Sequence, residues 1–238
     1  MIRKNSVLAL DNQAIVRYNK CIVGWNPTEF TSNGRMPAYH PYDYSEVIMN
    51  LEINDALIPG TKLLKNDMGN VTGLEFLHKI FYISQGIMLS QIREIAGIDG
   101  STLQNWTKRG WVANARLKKY SMEQLSRILI INMLRDCMQL DHIIFLLRYL
   151  NGEDEETAII RESELYDCMC RIIDDMAEDT LPAGGMTAVI DRAITPYADR
   201  VGAAKSRLAK VLEIFSVAYC AASMKKQADA LYSALIPR

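Results

Sequence analysis

Four side chains fall on one side of a short stretch between Asp99 and Gly110: Ser101, Gln104, Asn105 and Lys108. Hydroxyl and amide groups at helical spacing can pair with the donor and acceptor pattern of base edges, and a neighbouring lysine can hold a phosphate. Just beyond them Arg109, Arg116, Lys118 and Lys119 add cations with no acid among them. From Gly86 to Ser121 six bases stand against two acids, a local charge of +4 in a chain whose net charge is −1. Any affinity for nucleic acid must therefore be local. Ser101, Gln104 and Asn105 are the candidate base-reading groups, and Lys108, Arg109, Arg116, Lys118 and Lys119 the candidate phosphate-binding ones.

The stretch that must hold these groups carries its own start and stop signals. Asp99 is placed as an N-cap whose carboxylate can accept from the free N–H groups of Ser101 and Thr102. Ile98 and Leu103 then stand where a hydrophobic staple forms. Gly110 is a left-handed stop, with Trp111 folding back behind it, and Lys108 and Arg109 suit the last turn. Leu103 and Trp106 share a face and are expected to pack on Ile92 and Ile95 of a preceding short helix. A helix of about ten residues is marginal alone, so that packing must hold it. From Met88 to Leu150 the order is short helix, turn and second short helix, basic hairpin, long helix and closing helix. This is the layout of a winged helix-turn-helix, whose second helix enters the DNA major groove.

The run GIDGSTLQNWTKRGWV, followed by KKYSMEQLSRI and MQLDHIIFLL, resembles the DNA-binding domain of MerR-type regulators. The matching positions are Gly97, Thr102, Leu103, Trp106, Gly110, Trp111, Val112, Tyr120, Ser121 and Leu125. The pair Asn105-Trp106 and the wing end Lys118 to Ser121 look closer still to an uncharacterised bacterial family of MerR-like proteins. The chain departs from the MerR pattern in three places. Roughly 85 residues precede the module, Arg93 stands where a small residue is usual, and the wing from Ala113 to Lys119 is short. The resemblance implies a DNA-binding transcription regulator acting as a homodimer.

The whole chain supports a mainly α fold, a winged helix-turn-helix embedded in a helical bundle with a small β-wing. Its 238 residues suffice for a sizeable core, and 49% hydrophobic with 23% charged residues is ordinary globular composition. Residues 1–85 are expected to form an N-terminal arm and helices packing on the module. Residues 86–150 are the module, and residues 151–238 a C-terminal helical region for dimerisation or effector sensing. The apolar run VLAL and the tyrosines Tyr39, Tyr42 and Tyr44 lead to helices predicted at about 44–57 and 73–85, parted by an Ile58-Pro59-Gly60 turn. In the second, Leu74, Leu77, Ile80, Phe81 and Ile83 mark a buried stripe. After the wing Ser121 caps a helix that is apolar nearly all round, broken only by Asn132, and which should be the central member of the core.

From Asn151 to Thr180 eleven acids face two arginines. That block should face solvent or a basic partner, with an acidic linker at Glu153 to Glu156, a helix at about 159–178 and a hinge at Leu181 to Gly185. A short helix to Ile194 and a long one after Thr195-Pro196 should follow. In the long one Val201, Ala204, Leu208, Val211, Phe215, Ala218 and Ala222 alternate by three and four, a seam suited to another helix.

Other chemistries have weaker residue support. Cys168 and Cys170, two apart on a helix, point to different faces and make a poor chelate, so no metal and no cofactor is expected. His142, among Ile143, Ile144 and Phe145, is expected to be partly buried or capping. Glu162, Glu164, Asp167, Asp174 and Asp175 could supply paired carboxylates but fit a solvated face more simply. Glu75 and His78 form one Glu-x-x-His pattern, and a di-metal bundle needs two. No enzyme is expected. Five cysteines without a disulfide framework, no signal-like core and no run of eighteen apolar residues give a cytoplasmic expectation with no membrane partner. The expected partners are double-stranded DNA, a second copy of the chain and a small-molecule effector. The alternative is a protein–protein interaction module that has lost DNA binding.

Overall fold

The computed structural model describes residues 56–151, 158–177 and 185–235, all within one compact unit, Leu51–Arg238. The VLAL run, the tyrosine cluster, Trp25, most of the helix expected at about 44–57, the linker Glu153 to Glu156 and residues 181–184 of the expected hinge lie outside the described residues. Ala56 and Leu57, the expected end of that early helix, are instead a turn and a bridge from Leu57 to Leu64.

The described residues are mainly helical. Ile58-Pro59-Gly60 makes the turn its residues call for. The Thr61 N–H donates to the Ile58 carbonyl at 3.0 Å, and Gly60 takes φ 75°, the left-handed conformation that position needs. Helix α1 (Gly73–Phe81) follows. It ends four residues before expected, so Tyr82 and Ile83 are exposed; of the expected stripe Leu77 is buried and Leu74, Ile80 and Phe81 are half-buried, while Phe76, outside the stripe, is buried. Strand β1 (Ile87–Met88) leads into α2 (Leu89–Ala96) and α3 (Gly100–Lys108). Strand β2 (Lys119–Tyr120) pairs antiparallel with β1, Ile87 opposite Tyr120 and Met88 opposite Lys119. It is followed by α4 (Met122–Leu134) and α5 (Leu140–Asn151). The last elements are α6 (Glu162–Ala177), α7 (Gly185–Ile194) and α8 (Lys205–Leu235). Short turns of helix fill 195–204, so α8 starts later than Pro196 predicts.

The core lies where α4 and α6 meet, and both are buried along most of their length. Leu125, Ile128, Leu129, Ile130, Ile131 and Leu134 of α4 are fully buried, as expected of a helix apolar nearly all round. Helix α6 packs on α1, α4, α7 and α8 together and shares the central place. The expected seam of α8 is spent inside the chain, where Leu208, Val211, Phe215 and Ala222 are buried and α8 packs on α4, α6 and α7.

The acids of α6 correct the expectation of a solvated face. Asp167 is buried; it accepts from the Leu74 N–H at 2.7 Å, from Arg171 at 2.6 Å and from the Tyr197 hydroxyl at 2.6 Å. Asp174 accepts from Lys65 and Thr72, both at 2.8 Å, and Asp175 pairs with Arg192. Glu162 pairs with Arg127 and Glu164 with Arg200. The basic partner of this acidic helix is the chain itself. A carboxylate out of water costs several kcal/mol unless charges and N–H groups replace its hydration. Asp167 satisfies that condition from three elements. Asp167→Ala is therefore expected to lower folding stability by about 3 kcal/mol. Arg171→Ala, at a half-exposed partner, should cost under about 1 kcal/mol. Thermal or urea unfolding of the two variants checks the order.

Candidate functional site

Helix α3 has two unlike sides. Leu103 and Trp106 are buried, together with Ile92 and Ile95 of α2, while Ser101, Gln104, Asn105 and Lys108 are exposed. At 100° per residue those four positions fall within one narrow arc. The stop at Gly110 forms in full. Gly110 takes φ 71°, its N–H donates to the Thr107 carbonyl at 3.0 Å, and the Trp111 N–H donates to the Trp106 carbonyl at 2.9 Å. These two bonds satisfy carbonyls that the helix end leaves open. Trp111 is buried, and the Arg109 guanidinium lies 4.9 Å from the centre of its ring.

The start of α3 differs from expectation. Asp99 holds the extended conformation of an N-cap, yet its carboxylate accepts no capping bond. Its backbone carbonyl takes the Leu103 N–H at 3.2 Å, and Ile98 is buried as a staple residue should be. This end of α3 therefore forms without a capping bond from the carboxylate.

Helix α2 is tied to the body through its last carbonyls. The Lys62 N–H donates to the Ile95 carbonyl at 2.8 Å, and the Asn132 amide donates to the Ala96 carbonyl at 2.8 Å and the Gly60 carbonyl at 2.9 Å. Asn132, the polar break in α4, thus anchors the helix that supports α3.

The expected wing is reduced to a tight hairpin. Arg116 and Lys119 exchange both backbone hydrogen bonds, at 3.0 Å and 2.9 Å, around Leu117 and Lys118. Both turn residues have positive φ, 51° and 62°, the pattern of a type I′ turn that Asn-Gly fits best. The second strand finds its longer partner in β1 rather than across the hairpin. Arg116, Lys118 and Lys119 are exposed, and Leu117 at the tip is 97% exposed. Leu117 was not among the expected site residues, and its short apolar side chain gave no pattern to find it by.

Helix α4 clasps the chain between α3 and the hairpin. Ser121 and Gln124 form the expected cap with each other, and the Gln124 amide also donates to the carbonyls of Ala113 and Asn114. Arg127 donates to the Trp111 carbonyl at 2.7 Å while pairing with Glu162. Ser121 was expected as the cap, and the reach of Gln124 to the preceding chain was not. Among the described residues no acid pairs with Lys108, Arg109, Arg116, Lys118 or Lys119. Behind the site a cavity of about 680 Å³ is lined by Trp111, Gln124, Arg127, Arg148, Arg161 and other residues.

The remaining reactive groups sit elsewhere. Burial pushes the Cys168 and Cys170 thiols well up, and Cys168 donates to the Ala193 carbonyl at 3.4 Å. His142, Glu75 and His78 are exposed, which corrects the partial burial expected of His142. Among the described residues no group of three or more histidines, cysteines or acids is placed to hold a metal ion.

Two side chains in left-handed backbone cost the hairpin about 1 kcal/mol each or more. Replacing Leu117-Lys118 by Asn-Gly is expected to stabilise the fold by about 1–2 kcal/mol, read from a raised unfolding midpoint. Gln124→Ala should lower that midpoint, because it opens both the cap and the clasp.

Residues 77–169 match a domain described as a domain of unknown function, DUF1836. The match covers less than half of the chain, from within α1 through α2, α3, the hairpin, α4 and α5 into α6. No curated protein and no solved structure matches the chain.

Proposed function

We propose that this chain is a sequence-specific DNA-binding transcription regulator whose α2–α3 pair and hairpin act as a MerR-like winged helix-turn-helix. One observation carries the reading. Helix α3 is packed through Leu103 and Trp106 while Ser101, Gln104, Asn105 and Lys108 stay exposed, beside hairpin cations that no acid neutralises among the described residues. In the proposed complex α3 lies in the major groove. Ser101, Gln104 and Asn105 meet base edges there, and Lys108, Arg109, Arg116, Lys118 and Lys119 hold phosphates. The inward pairing of the α6 acids supports this, since those charges are engaged with cations of the same chain instead of repelling a duplex.

The residue pattern that resembles MerR-type regulators supports the same reading. A homodimer belongs to it, because one module spans too few base pairs for a useful specificity ratio and two-fold operators match two-fold proteins. The proposal assigns no catalytic step. A cytoplasmic location accords with it; among the described residues no helix is long and apolar enough to cross a membrane. The cavity behind Trp111 is the place where a small-molecule effector would reach both the end of α3 and the body.

Selection of bound fragments from random DNA at two salt concentrations tests the function. Enrichment of one two-fold motif is expected, and with about four phosphate contacts per copy a fourfold rise in salt should weaken binding by about four decades. Gln104→Ala should relax preference at one or two positions, whereas Lys118→Ala, which removes one contact from each copy, should weaken all sequences alike and lower the salt slope by about 2. Retention that neither variant alters would place the DNA contact elsewhere. An unenriched pool would leave the protein-interaction alternative.

A further inference from the structure

The hairpin between α3 and α4 ends in a side chain that takes no part in packing. Leu117 is 97% exposed, the most open of the large apolar side chains among the described residues. Its backbone and that of Lys118 lie at φ 51° and 62°, a left-handed region that residues other than glycine and asparagine adopt at a cost. The turn itself does not call for leucine, since asparagine or glycine makes it with less strain. Strain with no return in packing points to a contact outside the bundle. The tip is also firmly held. Arg116 and Lys119 close it with reciprocal backbone bonds, and buried Ile87 of β1 pairs with buried Tyr120 of β2. The Gln124 amide holds the carbonyls of Ala113 and Asn114 at 2.9 Å and 3.0 Å. Arg116, Lys118 and Lys119 flank the leucine, are exposed, and meet no acid among the described residues.

We propose that Leu117 is a wedge that enters the DNA minor groove and parts one base step, so that the hairpin reads how easily the duplex deforms. Proteins that wedge this groove push an apolar side chain between stacked bases, and cations nearby hold the backbones. The tip carries both parts. A two-residue turn is the narrowest end a hairpin has, which suits a minor groove only about 6 Å wide. Arg116 and Lys119 stand opposite each other across the hairpin and share one face, so a pair of phosphate-holding groups arrives with the wedge. Contact between the leucine and the bases offsets the stacking that is lost. Pyrimidine–purine steps unstack most readily, so the step chosen should be TA or CA/TG, a preference that needs no hydrogen bond to a base. A lipid surface suits the tip less well. A lone leucine is a weak anchor, and stable attachment to a membrane surface takes a broad apolar face or two anchoring signals.

The inference rests on the DNA-binding reading and adds a contact in the other groove. Its test uses the full chain and the duplex enriched from random DNA. A fluorescent adenine analogue that brightens on unstacking replaces each adenine of either strand in turn. One pyrimidine–purine step per half-site should brighten, outside the positions that Gln104→Ala relaxes. Leu117→Ala should abolish the brightening and the step preference. Its binding should stay within about tenfold of the wild type, because lost contact and recovered stacking offset each other. Leu117→Met should keep both signals. Leu117→Asn should lose them with an unfolding midpoint no lower than that of the wild type, which separates a missing wedge from a collapsed hairpin. A chain that binds its site while no position brightens overturns the wedge and leaves the regulator reading standing. So does a Leu117→Ala variant that brightens like the wild type. If no site is enriched, both readings fall. Retention on vesicles of phosphatidylserine and phosphatidylcholine that Leu117→Ala removes, with its duplex signals unchanged, assigns the tip to a membrane and overturns the proposal.

Discussion

A carboxylate inside a helical core has to find its cations, and the placement of α6 turns on that requirement. The helix is both the most acidic stretch of the described chain and one of its most buried. These properties are compatible only because Lys65, Arg127, Arg171, Arg192 and Arg200 come to it from the surrounding elements and from its own next turn. The Leu74 N–H and the Tyr197 hydroxyl complete the shell around Asp167. Exposed pairs of this kind contribute little each. Their weight here comes from Asp167, the buried one, which ties the start of α1 and the turn at Tyr197 to one point. The charges left over after this pairing define the rest of the surface. Cations that meet α6 are neutralised, and those on α3 and the hairpin meet no acid among the described residues.

A nine-residue helix cannot hold itself, so whatever α3 does depends on what grips its apolar side. The grip is indirect. Leu103 and Trp106 are buried with α2, and α2 is in turn fixed by backbone and amide bonds from Lys62 and Asn132 to its last carbonyls. Gln124 and Arg127 hold the chain leaving α3. Rigidity is thereby delivered from α4 to a helix whose other side is open, the arrangement a groove-reading element requires.

What the residues announced in advance was local. The glycine stop of α3, the Ser121 cap, the Pro59-Gly60 turn and the buried pair Leu103 and Trp106 are all set within a few residues of chain, and the structure shows each of them. The misses share the opposite character. Asp99 has a capping residue's identity and conformation, but its carboxylate accepts no capping bond, and the residues on either side of it in the expected staple, Ile98 and Leu103, are both buried. His142 stands next to Ile143, Ile144 and Phe145 in sequence, yet successive helix positions point to different sides and its own is open. The α6 acids read as solvated because most of their cations stand far off in sequence, Lys65 being 109 positions from Asp174. Composition records such charges without saying which ones meet.

The two seams of α8 show the same limit in its sharpest form. A spacing of three and four says that a helix face will be covered, and it is silent on whether the cover is the same chain. Here one such face, through Leu208, Val211, Phe215 and Ala222, closes the bundle, and a second, through Ile214, Met224 and Leu231, does not. A helix apolar on two sides shows weak amphipathic contrast, so a search for one strong apolar face passes over it. Only burial separates the faces. Among the described residues the side left open runs through Ile214, Val217, Met224, Leu231 and Leu235.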